Sequence, residues 1–193
     1  MNFQQIRYLT IKKEGLLFFF DSSIDYPAAR CLILNGLFPG FVLACQAIEK
    51  ILKAAIFFES GFVNLRGWNN SEKHNPFLLK EELKKYRNYK LDKYNDFLKH
   101  LFSLYQKRYS NNPIVSKKGG SSDDLILFDE VYLKIAIKIP ITKTAKKRTK
   151  LFVDLFDKNV NKYWNDGFWI RKRNRTLIEK GFEAKLKSLV GEL

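Results

Sequence analysis

Residues 37–58 read LFPGFVLACQAIEKILKAAIFF, a nearly apolar stretch interrupted early by Pro-Gly and carrying four polar side chains further on. Residues 31–48 hold no charge at all, and about 18 apolar residues in a row is the usual threshold for a membrane span. Asn35-Gly36 and Pro39-Gly40 fall in the middle of that run, however. Proline suits the first turn of a helix and glycine the position just past a helix end. Two helices joined near residues 35–39 therefore fit better than one span, with the second predicted from about Pro39 to Phe58. Its polar members Gln46, Glu49, Lys50 and Lys53 are spaced i, i+3, i+4, i+7 and fall on one stripe, expected to be wet. Glu49 precedes Lys53 by four residues, the favourable order for an ion pair on a helix. A helix apolar on its other sides belongs in the middle of a soluble helical bundle.

Working outward, Asp21-Ser22-Ser23 are good N-cap residues for a helix running to about Leu34. Ahead of it, IRYLTI and LLFFF flank a glycine-containing KKEG, which predicts a short β-hairpin within residues 1–20, with a helix ending at Gly15 as the alternative. Downstream of a polar loop at residues 60–73, Asn75 is the expected N-cap and Pro76 the first residue of a third helix, with Phe77, Leu78 and Leu83 on its buried side. Leu91, Tyr94, Phe97, Leu98, Leu101, Phe102 and Tyr105 form a helical stripe ending near Arg108. Residues 110–124, SNNPIVSKKGGSSDD, read as a loop, after which Asp123 or Asp124 caps a helix that Pro140 stops. The tail adds further helical pattern, with Leu151, Phe152, Leu155, Phe156 and Tyr163 on one face, a break at 165–167, and a last helix after Gly181. The expected architecture is all-α, an antiparallel bundle of five to seven helices in a single domain of 193 residues, with 141–193 a basic C-terminal helical extension.

Composition narrows the function classes. The formal net charge is +15. Residues 21–60 hold three Lys/Arg against four Asp/Glu, residues 73–108 ten against four, and residues 143–193 fourteen against six. Cationic excess segregated in this way favours contact with polyanions, RNA or DNA above all. The plainer reading is solubility. Cys31 and Cys45 lie within apolar helical segments and have no metal-ligand spacing, which points to reduced packing thiols in a cytoplasmic protein and excludes a structural zinc site. No secretory signal is expected from the first ten residues. A phosphate loop, a Gly-x-Ser-x-Gly elbow and an acidic metal cluster are all missing, so no cofactor or metal is expected.

The stretch DYPAARCLILNGLFPGFVLACQAIEKILKAAI resembles the first helical hairpin of HEPN domains, the nucleotide-binding domain shared by higher eukaryotes and prokaryotes. The resemblance is carried by the pattern A-x-E-K-x-L-K-A, here Ala47, Glu49, Lys50, Leu52, Lys53 and Ala54. KHNPFLLKEEL and LYQKRYSNN are similar to two further marks, and the likeness covers about residues 21–140. It implies an antiparallel four-helix core, usually a homodimer, tied to RNA metabolism, toxin–antitoxin pairs or phage defence, with a nucleotidyltransferase or antitoxin as partner. Catalytic members are metal-independent ribonucleases that use an Arg followed, after four to six residues, by a His.

That motif is not met in this sequence. Of the two histidines, His74 would need Arg at position 67, 68 or 69 and His100 at 93, 94 or 95; none is arginine, and Arg66 stands one residue too far from His74. His74 and His100, with Arg66, remain weak catalytic candidates, His74 being expected to help open a helix and His100 to be solvated. In the tail, WIRKRNR places Arg171, Lys172, Arg173 and Arg175 beside Trp169, residue types that hold phosphates and stack a base. The function implied is a HEPN-like module binding RNA, a nucleotide or a partner protein, without the usual catalytic motif. The alternative is a divergent ribonuclease with a site assembled across a dimer.

Overall fold

The computed structural model describes residues 3–34, 36–61, 68–107 and 122–139. Among these, the chain forms five α-helices: α1 (Phe3–Leu34), α2 (Pro39–Ser60), α3 (Pro76–Lys84), α4 (Asn95–Lys107) and α5 (Ser122–Ala136). Short 3₁₀ turns at Glu72–His74 and Asp92–Tyr94 precede α3 and α4, and the described residues contain no strand. The all-α expectation holds. The loop at 110–121 and the whole tail from residue 140 lie outside the described residues.

The break between α1 and α2 follows from local chemistry. Gly36 takes the left-handed conformation (φ 70°), its N–H donates to the Ile33 carbonyl and that of Leu37 to Leu32. This pair of bonds is the Schellman arrangement, which satisfies the last carbonyls of a helix and needs glycine at the turn. Pro39 then opens α2. The two helices run antiparallel in close contact: Asp25 bonds Lys50, Phe18 stacks on Phe57 at 5.8 Å, and a Cβ on Gly40 would stand 2.7 Å from the Ile33 backbone nitrogen. Gly40 is therefore fixed by space. α2 touches α1, α3, α4 and α5, with Ala44, Ala47, Ile48, Ile51, Leu52, Ala54, Ala55 and Ile56 fully buried. It is the central helix of the bundle, and among the described residues no helix is long and apolar enough to cross a membrane.

The N-terminal hairpin expected for residues 1–20 is replaced by helix, since α1 runs unbroken from Phe3. Gly15, which resembled a turn, is instead where α1 passes Phe57 and Phe58; a Cβ there would lie 3.2 Å from both side chains. The buried positions Gly15, Phe19, Ser22, Ser23, Tyr26, Ala29, Arg30 and Ile33 recur at helical spacing. Three of them are polar, which breaks the apolar pattern on which a sequence reading depends. Ser22 and Ser23 do not cap a helix start; each hydroxyl donates back to the carbonyl three residues earlier, Phe19 and Phe20, at 2.7 Å. Such back-bonding satisfies a hydroxyl inside a helix.

α3 begins as expected, with the Asn75 side chain accepting from the Phe77 N–H at 3.0 Å and Pro76 in the first turn. Leu79 and Leu83 are buried, whereas Phe77 and Leu78 are only half-buried. The stripe on α4 is buried at Phe97, Leu98, Leu101 and Tyr105. Its first members, Leu91 and Tyr94, belong to the preceding loop and 3₁₀ turn rather than to the helix. α5 runs from Ser122 to Ala136, so Asp123 and Asp124, the expected cap residues, fall within its first turn rather than ahead of it.

α5 is fastened to α1 by a sealed polar group. Arg30 donates from Nε and Nη2 to the two carboxylate oxygens of Asp129 at 2.8 and 2.9 Å, and the Tyr26 hydroxyl donates to the same carboxylate at 2.6 Å. Tyr132 stacks on Tyr26 at 4.0 Å and meets the Ser22 hydroxyl at 3.1 Å. Burial disfavours the Arg30 cation, but Asp129 and Tyr26 more than offset it and raise its pKa. Burial and the Asp129 charge push the Tyr26 hydroxyl well above its ordinary range. Arg30 Nη1 is buried with no hydrogen-bond partner, so the guanidinium depends on its bidentate pair.

Candidate functional site

The stripe on α2 expected to be wet is largely interior. Glu49 and Lys53 are buried, at 6% and 8% exposure, because α1 and the approach to α3 close over them. The predicted i, i+4 pair forms, with Lys53 Nζ donating to Glu49 Oε1 at 2.7 Å, and Lys53 also lies 5.8 Å from the Phe18 ring. The same Glu49 oxygen sits 2.9 Å from His74 Nδ1. His74 ends the 3₁₀ turn just before the Asn75 cap, so the turn and the cap together aim the imidazole back at α2.

A neutral imidazole in this position donates from Nδ1 to Glu49 and leaves the Nε2 lone pair outward. With the His74 side chain 48% exposed, that nitrogen faces an accessible surface. A carboxylate holding one ring nitrogen while the other is open is an arrangement able to move a proton. Among the described residues the cation in contact with this group, Lys53, is committed to Glu49. The arginines whose side chains are described, Arg30 and Arg87, pair with Asp129 and Glu59. His100 is exposed on α4. Arg66, Trp169, Arg171, Lys172, Arg173 and Arg175 lie outside the described residues. Cys31 and Cys45 are buried and not disulfide-bonded, and burial raises the Cys31 thiol pKa. Among the described residues no group of His, Cys, Asp and Glu is arranged to hold a metal.

The surface around α3 is dense in charge. Lys80 is buried and uses its ammonium on Glu81, on Asp92 at 2.8 Å and on Asn95 at 2.8 Å. Lys84 takes the other Asp92 oxygen at 2.9 Å, and hydrogen bonds from these two lysines lower the Asp92 pKa to about 2. Lys85 pairs with Glu82, Arg87 with Glu59 and Lys93 with Glu130. The chain from Lys84 to Asp92 also walls a shallow pocket with Leu83, Asn88 and Tyr89 on its sides.

Sequence reasoning missed two sets of residues. Arg30 is a single charge in the apolar run AARCLIL, and Asp129 stands with Glu130 in LILFDEVYL; charge set into apolar helical pattern was the available signal. Lys134 and Lys138 come from α5 and the turn after it, where the sequence suggested only a helix end. No protein-family model, no curated protein and no solved structure matches the chain.

Proposed function

We propose that this chain is a helical binding module of the HEPN kind that engages RNA or another polyanion and lacks the Arg–His ribonuclease chemistry of catalytic HEPN members. The supporting observation is how the described charges are distributed. Asp25, Glu49, Glu59, Glu81, Glu82, Asp92, Asp129 and Glu130 all serve in internal ion pairs. With these acids committed, the excess behind the +15 formal charge is carried by basic side chains. A chain that pairs many of its carboxylates internally and carries a large excess of cations attracts phosphate. Homodimerisation and a role in toxin–antitoxin or phage-defence biology are the parts of this reading that rest on the family resemblance.

A divergent ribonuclease is the second reading, favoured by the Glu49-held His74 with its open Nε2. One experiment separates the two. Purified protein is incubated with single-stranded and structured RNA in the absence of metal, while binding and particle mass are followed in parallel. Binding by a species of about twice the 22.7 kDa chain mass, with the RNA left intact, is the expected result. Cleavage that His74→Ala abolishes while binding persists would install the ribonuclease instead, and a protein that neither binds nor cleaves RNA would remove both.

A further inference from the structure

We infer that Arg87, Lys90, Lys134 and Lys138 form a phosphate-binding patch for the backbone of single-stranded RNA. This rests on the polyanion reading above and gives it an address, between the α3–α4 connection and the end of α5.

Two buried tyrosines form the floor. Arg87 and Lys138 lie 5.7 and 5.5 Å from the Tyr89 ring, and Lys134 lies 5.7 Å from the Tyr94 ring. The rings are held in place by carboxylates beneath them: Tyr89 donates to Glu59 at 2.8 Å and Tyr94 to Glu130 at 2.8 Å. Those acids are thereby occupied, Glu59 also by Arg87 and Glu130 also by Lys93. Lys90, Lys134 and Lys138 make no ion pair among the described residues. Lys90 is set by a backbone in the left-handed region (φ 55°), with its N–H held by Asn88 Oδ1 at 2.7 Å.

The electrostatics agree with the geometry. The Lys138 ammonium is held below its ordinary pKa by burial first, and then by Lys134, Arg87 and Lys90. Four like charges around one spot repel, and an oxyanion placed among them relieves that repulsion. Tyr86, next to Arg87 and 40% exposed, offers a base a stacking face, which a free polyphosphate would not use.

The test is fluorescence anisotropy with a short labelled single-stranded RNA over a salt series, with inorganic tripolyphosphate assayed separately by thermal shift. In the triple variant Lys90→Gln, Lys134→Gln, Lys138→Gln the logarithmic salt slope is expected to fall by about 2, or about 0.7 for each lysine removed. Lys138→Gln alone is expected to lose about 0.7, while Lys99→Gln, the same charge change on α4 where Lys99 lies 4.7 Å from the Phe77 ring, leaves the slope as it was. A melting temperature in the triple variant no lower than the parent's certifies its fold. If the parent binds RNA and the triple variant keeps the parental slope, the patch is refuted and the polyanion function survives elsewhere in the chain. If the parent binds no RNA, both fail. Stabilisation of the parent, but not of the triple variant, by tripolyphosphate without RNA binding would overturn the RNA assignment in favour of a free polyphosphate.

Discussion

Arg30 and Lys138 each lie against a tyrosine ring, 5.9 Å from Tyr26 and 5.5 Å from Tyr89, yet their surroundings differ in kind. Arg30 is sealed between α1 and α5 and meets a carboxylate of matching shape in Asp129. Lys138, just beyond the end of α5, meets Lys134, Arg87 and Lys90. At Arg30, where water is excluded, the chain sets a carboxylate against the cation; around Lys138, which is only partly buried, the neighbouring charges have the same sign. The first arrangement follows from the large cost of an unpaired ion in a low-dielectric interior. The second is tolerable only because solvent screens it, and it leaves unsatisfied attraction for an outside anion.

The largest effect should come from breaking the sealed pair. Asp129→Ala strands a buried guanidinium whose Nη1 already lacks a partner, and a loss of about 3–5 kcal/mol is expected in denaturant titration. If Arg30→Met is added, much of that loss should return, since an apolar side chain of similar length needs no anion. A variant pair showing no such recovery would mean that Asp129 acts through Tyr26 rather than through Arg30.

The Glu49–Lys53–His74 group is intermediate, sealed on the Lys53 side and open on the His74 side, so the two ends of one network should respond unequally. Glu49→Ala leaves the buried Lys53 ammonium unpaired, with an expected cost of about 1–3 kcal/mol. His74→Ala removes a half-exposed partner and should cost below about 1 kcal/mol. Equal costs would place His74 in the interior and weaken the contrast between sealed and open charge.

The smallest effect should have the opposite sign. Lys138→Gln removes one member of a repelling set and is expected to raise stability by a few tenths of a kcal/mol at neutral pH, since screening limits the strength of surface charges. The direction with pH follows from linkage. A lysine whose folded pKa lies below its unfolded value binds fewer protons when folded, so the parent gains stability as pH rises between those two values. The gap between parent and variant should therefore narrow at alkaline pH, and a gap that widens would contradict the repulsion.

Much of this scaffold could be read from local rules. Asn35-Gly36 and Pro39 mark the hairpin, and Asn75-Pro76 marks the start of α3, because caps depend on residues within one turn of each other. The i, i+4 pair of Glu49 and Lys53 was readable for the same reason. The N-terminal half of α1 was not, because Gly15, set between the β-rich runs IRYLTI and LLFFF, resembles a turn when it is in fact the point where α1 passes Phe57 and Phe58. Nor could sequence show that Glu49 reaches His74, or that Lys138 meets Arg87 and Lys90. Those contacts join distant segments, and only the packing of α2 against its neighbours and of α5 against the α3–α4 connection brings them together. The wet stripe on α2 was misjudged because polar spacing identifies a face without saying what covers it.

Arg30 and Asp129 are separated by 99 residues, which has a consequence for the order in which the chain folds. The α1–α2 hairpin closes through a short loop and can form while the guanidinium is still hydrated, since loop closure costs least for near neighbours. Water leaves Arg30 only when α5 docks, and the docking succeeds only with Asp129 turned inward; a shift of one residue swings the carboxylate by about 100° and strands the cation. On this order of events the pair is expected to select helix register late in assembly. Contacts formed after the folding barrier change the unfolding rate, so the stability lost in Asp129→Ala should emerge as faster unfolding with nearly unchanged refolding, and slowed refolding would put the pair in the nucleus instead.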